Sequence, residues 1–315
     1  MEDSSQESIN HPSSSAKQIL KKTTGYLRLM RPANIVTSVA DVLAGIAISG
    51  YLGHQSFQIQ NLLPILLLCF STIGLYGGGV VFNDVFDAAL DRIERPERPI
   101  PVGLITIREA ATLGVLMLVA GIIAAGFTSI TSAILAFLVA VSAIVYDKWG
   151  KHYSFAGPVN MGLCRGFNLL LGISIIPSAV IDWWYLALVP VIYIASITMI
   201  SRGEVHGGSR TTLYTASFLY ALVISLILYF AFAKGGIWLA LIFLLPFTWM
   251  IFRPLLKAIK EPVGRNIGKA VKAGVLALIL MNAAWAAAFG ALYLALVIIL
   301  LLPLSLKLAK LFAVT

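Results

Sequence analysis

Long apolar runs with almost no charge recur from Ile35 to the C-terminal end, and they constrain this chain more than any other feature. A run of ~20 apolar residues crosses the hydrocarbon core of a bilayer as an α-helix, which satisfies its own backbone hydrogen bonds. Nine such runs can be marked, at 35–52, 62–82, 107–127, 130–146, 158–181, 184–200, 213–233, 237–252 and 270–289. The stretch 290–306 makes a tenth if the chain turns at Gly290, because 270–306 is too long for one crossing. The runs are continuous rather than alternating, which argues against a β-barrel. A hydrophobic content of 59% over 315 residues argues equally against a soluble domain. The expected fold is therefore all-α: a polytopic transmembrane helical bundle of nine or ten spans. Residues 1–22 read as a disordered polar tail and residues 23–315 as a single transmembrane domain.

Charge sets the expected orientation. The formal net charge is +9. With the N-terminus in the cytoplasm, nearly all lysines and arginines outside the runs fall on the cytoplasmic side, and Lys234 alone falls outside. Such a surplus reports loops facing an anionic membrane surface and implies no nucleic-acid partner. Cys69 and Cys164 lie far apart in apolar runs and read as small hydrophobes.

One stretch breaks the pattern. "FNDVFDAALDRIERPERPIPVG", Phe82 to Gly103, holds five of the chain's fourteen acidic residues. Read as the cytoplasmic end of a helix, it sets Asp84, Asp87 and Asp91 at i, i+3 and i+7 on one face, flanked by Asn83. Pro96 and Pro99 stop the helix. Like charges so close repel unless a cation joins them. Oxygen donors of this kind suit Mg²⁺, which commonly adds substrate phosphates to one or two carboxylates. Arg95 and Arg98 are forked donors matched to phosphate oxygens. The bland alternative is a solvated loop tied by Asp–Arg pairs. Intramembrane charge is costly, so Arg165 and Asp41 are expected to face the bundle interior, where they pair with each other or serve a site.

The stretch resembles the first aspartate-rich motif of the UbiA superfamily of intramembrane prenyltransferases, N-D-x-x-D-x-x-x-D followed by R-P-x-R-P-I-P-x-G. "RLMRPAN", Arg28 to Asn34, and "YDKWGKHYSFAGPVNMGLCRGFN", Tyr146 to Asn168, resemble further parts of that family. "MGLCRGFNLLLG" and "EVHGG" are most similar to its EboC-like members. The resemblance implies a Mg²⁺-dependent transferase that moves an isoprenyl group from an isoprenyl diphosphate to an aromatic or lipid-soluble acceptor within the membrane. It implies Asn83, Asp84, Asp87 and Asp91 as metal ligands, with the three aspartates catalytic. It implies Asn83, Arg95, Arg98, Tyr146 and Lys151 as contacts to the diphosphate; Arg165, as a charge within a span, and Arg202, as a fixed positive charge that could stand in for a second metal, are further candidates for it. The family's second motif, D-x-x-x-D, is missing. "SRGEVHGGSRTTL", Ser201 to Leu213, offers Glu204 as its sole carboxylate and therefore as the one further metal ligand, with His206 nearby. That departure keeps open a lipid-binding or transport protein without turnover, or a terpene cyclase of the same superfamily.

Overall fold

A computed structural model of the chain describes residues 14–53, 59–204 and 207–312. Among them there are helices and short 3-10 turns but no strand. In chain order the helices are α1 (Ser14–Met30), α2 (Pro32–Ser49), α3 (Leu62–Phe86), α4 (Ala88–Glu94), α5 (Ile107–Gly126), α6 (Ile130–Lys148), α7 (Ala156–Ile173), α8 (Pro177–Trp183), α9 (Leu188–Ser201), α10 (Arg210–Ala233), α11 (Ile237–Lys260), α12 (Gly264–Ala288) and α13 (Leu292–Leu311).

Nine candidate spans among the described residues are long and apolar enough to cross a membrane, with α8 and α9 counted together as Pro177–Ser201. The nine are not quite those expected. Leu292–Leu311 is among them, because the chain does turn at Gly290, whose φ of 78° suits glycine. The expected run 158–181 is not one helix. Ile176, with φ −114° and ψ 101°, is extended before Pro177, so α7 stops at Ile173 and α8 starts anew. α7 carries Asn160, Arg165 and Asn168 and is less apolar, yet it runs through the bundle packed against α2, α6 and α9.

The amino-terminal stretch also differs from expectation. Residues 1–13 lie outside the described part, but α1 is already helical from Ser14, inside the region read as a tail. Lys22 reaches Glu109 on α5 at 2.5 Å, and Gly25 packs on Leu104 and Ile105. α1 ends at Arg31, whose φ of +48° is the one left-handed non-glycine backbone among the described residues. Such a conformation costs about 1–3 kcal/mol and persists only where surrounding contacts hold it.

Six helices, α2, α3, α6, α7, α9 and α12, form a ring in which each neighbouring pair packs. α5 lies outside α3, α10 and α11 lie outside α9 and α12, and α13 covers α2 and α12. α2 also crosses α7 directly, at Gly45 and Gly172. A Cβ on Gly45 would run into the Leu169 carbonyl, and one on Gly172 into the Val42 carbonyl, so the two backbones touch.

Candidate functional site

The backbone hydrogen bonds Asp87 N to Asn83 O (2.9 Å), Asp91 N to Asp87 O (2.8 Å) and Arg95 N to Asp91 O (2.9 Å) carry the helical row across the junction of α3 and α4. The chain then folds back. Leu104 and Ile105 donate to the Pro99 carbonyl, and Ile100 and Ile105 bury against Leu29, Val81 and Ala88. That apolar contact tucks Arg98 under the helix end, where it is 6% exposed.

The acidic groups do not open together onto one ion. Arg98 bridges Asp84 (3.1 Å) and Asp91 (2.7 Å), and both carboxylates are buried. Arg31 donates to the same Asp84 oxygen, Oδ1, at 2.5 Å. Asp87 is separate: it pairs with Lys151, from the turn between α6 and α7. Asn83 donates to the buried Asp147 at 3.0 Å. The i, i+3, i+7 spacing put three aspartates on nearly one face, but the returning strap inserts a guanidinium between the first and third. Among the described residues, no three or more His, Cys, Asp or Glu side chains gather closely enough to hold a metal. The expected ligand set of Asn83, Asp84, Asp87, Asp91 and Glu204 is therefore divided.

Beside this helix end opens a cavity of about 430 Å³. Its mouth is polar, with Arg31, Asn83, Arg95, Tyr146, Asp147 and Ser201. Its walls are apolar, with Leu75, Val139, Ile194, Val271 and Leu278 among them. Its inner end is polar again, with Thr72, Tyr76, Arg165 and Asn168. Thr72 and Asn83 both face the cavity from α3, so mouth and inner end stand roughly 16 Å apart at the α-helical rise.

The inner polar groups satisfy one another. Arg165 donates to Asp41 and to Thr37, each at 2.8 Å, and lies over the Tyr76 ring at 4.7 Å. Asp41 also accepts from Asn168 (3.2 Å) and Asn282 (2.7 Å). Asn168 donates to the Ser38 carbonyl and accepts from Thr72. Arg165 is thus neutralised by Asp41, one of the two partners expected for a charge within a span, and does not stand free for a diphosphate.

The remaining expected residues are scattered. Arg95 and Tyr146 line the cavity mouth. Arg202 does not; it donates to the Tyr153 carbonyl at 2.6 Å and ties the end of α9 to the turn before α7. Glu204 lies off the cavity, and partial burial raises its carboxyl above the usual value while Arg95 pulls it partly back. His206 lies outside the described residues. Two residues escaped sequence reading. Arg31 looked like one more basic anchor, although its place directly before Pro32 was a signal. Asp147 is the one carboxylate among the described residues lining the cavity, and its pairing with Asn83 spans two helices.

Comparison with known proteins identifies the family and the fold. The model of the UbiA prenyltransferase family matches residues 42–266. A digeranylgeranylglyceryl phosphate synthase of Methanothrix thermoacetophila is 34% identical over 155 residues, which is 49% of this chain and 56% of that protein. The chain thus spans little more than half the length of the curated relative it matches. A solved structure of a digeranylgeranylglyceryl phosphate synthase in membranes superposes with a TM-score of 0.63 at 26% identity, over 86% of this chain and 99% of that one. A UbiA homolog from Archaeoglobus fulgidus bound to DMAPP and Mg²⁺ shares the fold, with a TM-score of 0.59 and 18% identity, over 80% of this chain and 98% of that one.

Proposed function

Since this chain belongs to the UbiA prenyltransferase family, we propose that it is an integral-membrane enzyme that transfers an isoprenyl group from an isoprenyl diphosphate to a hydroxyl of a glyceryl phosphate lipid. The observation that carries this reading is the cavity: cationic and amide groups at its mouth, apolar walls below, and a helix end rich in carboxylates beside it. The glyceryl phosphate acceptor, in place of an aromatic one, is taken from the names of the relatives.

Residues at and beside the mouth suit Mg²⁺ in kind. Asn83 and Asp147 line the cavity, and Asp87, off the lining, follows one helical turn after Asn83; they offer only oxygen donors or an amide, and Mg²⁺ typically needs one or two protein carboxylates with substrate phosphates completing its shell. Asp87 with Asn83 and Asp147 would hold it, while Asp84 and Asp91 serve to fix Arg31 and Arg98. When bound there, Mg²⁺ offsets negative charge on the departing diphosphate. The chain's own residues supply the rest. Arg31 and Arg95 face the mouth and present guanidinium forks to phosphate oxygens as charge gathers on them. Lys151, paired with Asp87, sits where it can pass from that carboxylate to an incoming phosphate. The apolar walls exclude water from the allylic cation, which otherwise hydrolyses. The acceptor hydroxyl enters from the mouth; its oxygen forms the new bond to the isoprenyl carbon as the carbon–oxygen bond to diphosphate breaks, and its proton passes to the departing diphosphate. We assign the mouth to the cytoplasmic side from the distribution of basic residues.

The test is to incubate membranes containing the protein with labelled geranylgeranyl diphosphate, Mg²⁺ and geranylgeranylglyceryl phosphate, then look for a doubly prenylated lipid by mass spectrometry. Unchanged substrates with folded protein would reject the reading. Arg31→Ala should weaken diphosphate binding by about tenfold or more, the cost of losing a charge-assisted contact. Titration calorimetry checks this, and unaltered affinity would return Arg31 to a structural role.

A further inference from the structure

α1 has no part in the chemistry just described, yet it presents three distinct faces. We infer that it is an interfacial helix that docks on an anionic bilayer surface and, seated there, holds Arg31 at the cavity mouth. The link to Arg31 rests on the mouth being the diphosphate site; the docking does not.

The first observation is where α1 lies. Two spans, α2 and α3, come between α1 and α5, so α5 begins on the side of the membrane where α2 begins. α1 ends at Arg31, directly before Pro32, the first residue of α2. Lys22, nine residues before Arg31, pairs with Glu109 in the first turn of α5. Both tethers thus stand where a span enters the membrane. Between them α1 covers roughly 13 Å at the helical rise, so it runs along that boundary rather than away from it. α5 lies outside α3, so the half of α1 that precedes Lys22 is directed outward from the ring.

The second observation is what α1 leaves uncovered. Its bundle face is Gly25, packed on Leu104 and Ile105, and Leu29, buried with Val81. On another face Ile19, Leu20 and Leu27 are 65%, 69% and 37% exposed, and Thr23 lies among them at helical spacing. Thr23 and Thr24 turn their hydroxyls back onto the Ile19 and Leu20 carbonyls, at 3.0 and 2.9 Å, so they present methyl groups outward. Residues 1–13 hold Met1 and Ile9 as their only large apolar side chains, too few to cover this stripe. α5, to which α1 is tied, exposes Val115, Leu116 and Val119, a surface suited to lipid.

The third observation is charge. Lys21 and Arg28, two turns apart and exposed, form the remaining face, and α1 carries no acidic residue. An interfacial helix sets apolar side chains into the acyl boundary beside basic ones at the headgroups. Each basic residue near an anionic surface strengthens such an attachment about fivefold. α1 then leads into Arg31, whose φ of +48° is a bend that only neighbouring contacts maintain. A docked α1 fixes the direction from which the Arg31 guanidinium reaches Asp84.

The experiment places the purified full chain in nanodiscs of phosphatidylcholine, alone or mixed with phosphatidylglycerol, and follows hydrogen exchange of the α1 amides by mass spectrometry. Protection of α1 should be roughly tenfold or more higher in the anionic discs. The double variant Lys21→Glu, Arg28→Glu should erase that difference, and Ile19→Asn, Leu20→Asn should lower protection in both kinds of disc. In anionic discs Ile19→Asn, Leu20→Asn, which leaves the charge unaltered, should also weaken Mg²⁺-dependent binding of geranylgeranyl diphosphate several-fold. Equal α1 exchange in the two kinds of disc, or exchange unmoved by Ile19→Asn, Leu20→Asn, would overturn the docking. Protection that arises only when a disc holds two copies would assign the stripe to a second chain and overturn it equally. Unchanged diphosphate affinity in a variant that has lost α1 protection would sever the link to Arg31. A protected α1 in a folded protein that binds no diphosphate would uphold the docking and remove instead the reading of the mouth.

Discussion

Replacing Asp41 with alanine should lower the stability of the bundle by about 3–5 kcal/mol, the usual cost of stranding a buried charge. Asp41 is 1% exposed and accepts from Arg165, Asn168 and Asn282. Its removal leaves the Arg165 guanidinium without a counter-charge inside an apolar bundle, and leaves two amides short of an acceptor. The expected sign is a marked fall in the thermal midpoint of the detergent-solubilised protein. The double exchange Asp41→Leu, Arg165→Leu should be far milder, since an apolar pair of similar volume is often neutral or better. Equal losses in the single and double variants would show that the pair contributes through packing alone.

The second large effect separates the three motif aspartates. Asp87→Ala should weaken Mg²⁺-dependent diphosphate binding by about a hundredfold, the upper end for a charged contact, with little change in thermal midpoint. Asp87 is only partly buried and its partner is the flexible Lys151 side chain. Asp91→Ala should do the reverse. Its carboxylate is 2% exposed and holds Arg98 at 2.7 Å, so its loss leaves Arg98 with Asp84 alone and destabilises the strap. Asp84→Ala should show both effects, because it anchors Arg31 at the cavity mouth as well as Arg98 beneath. Diphosphate titration beside thermal unfolding of the same three variants resolves the two roles. Equal losses of affinity at Asp87 and Asp91, with stability intact, would mean that both bind the ion.

The helical, multi-span character was legible because hydropathy over a run of residues is a local property. The motif was legible for the same reason: its carboxylates lie on successive turns of one helix. What the sequence could not give was the partner of each charge. Arg98 sits fourteen positions after Asp84, and only the burial of Ile100 and Ile105 against Leu29 and Val81 brings it back underneath. Lys151 and Asp87, or Asn83 and Asp147, are 64 positions apart and meet only because α3 packs on α6. Arg165 and Asp41 were each recognisable as costly intramembrane charges that needed a partner. Asn282 gave no such sign, being a lone amide in an alanine-rich run. The one span drawn in the wrong place, across Pro177, failed because hydropathy does not register where a backbone must extend.

The arrangement of helices in two shells has a consequence for how freely this chain can vary. The outer helices α5, α10 and α13 fully bury only 28%, 28% and 22% of their most apolar stretch. For those positions the surroundings ask only for oiliness, and one aliphatic residue serves as well as another. In α2 and in the Leu276–Ala288 part of α12 nearly every position is buried. A library of random substitutions should therefore sort by shell: interchange of leucine, isoleucine, valine and phenylalanine would pass almost unnoticed on the outside, while a single added methyl group could matter within.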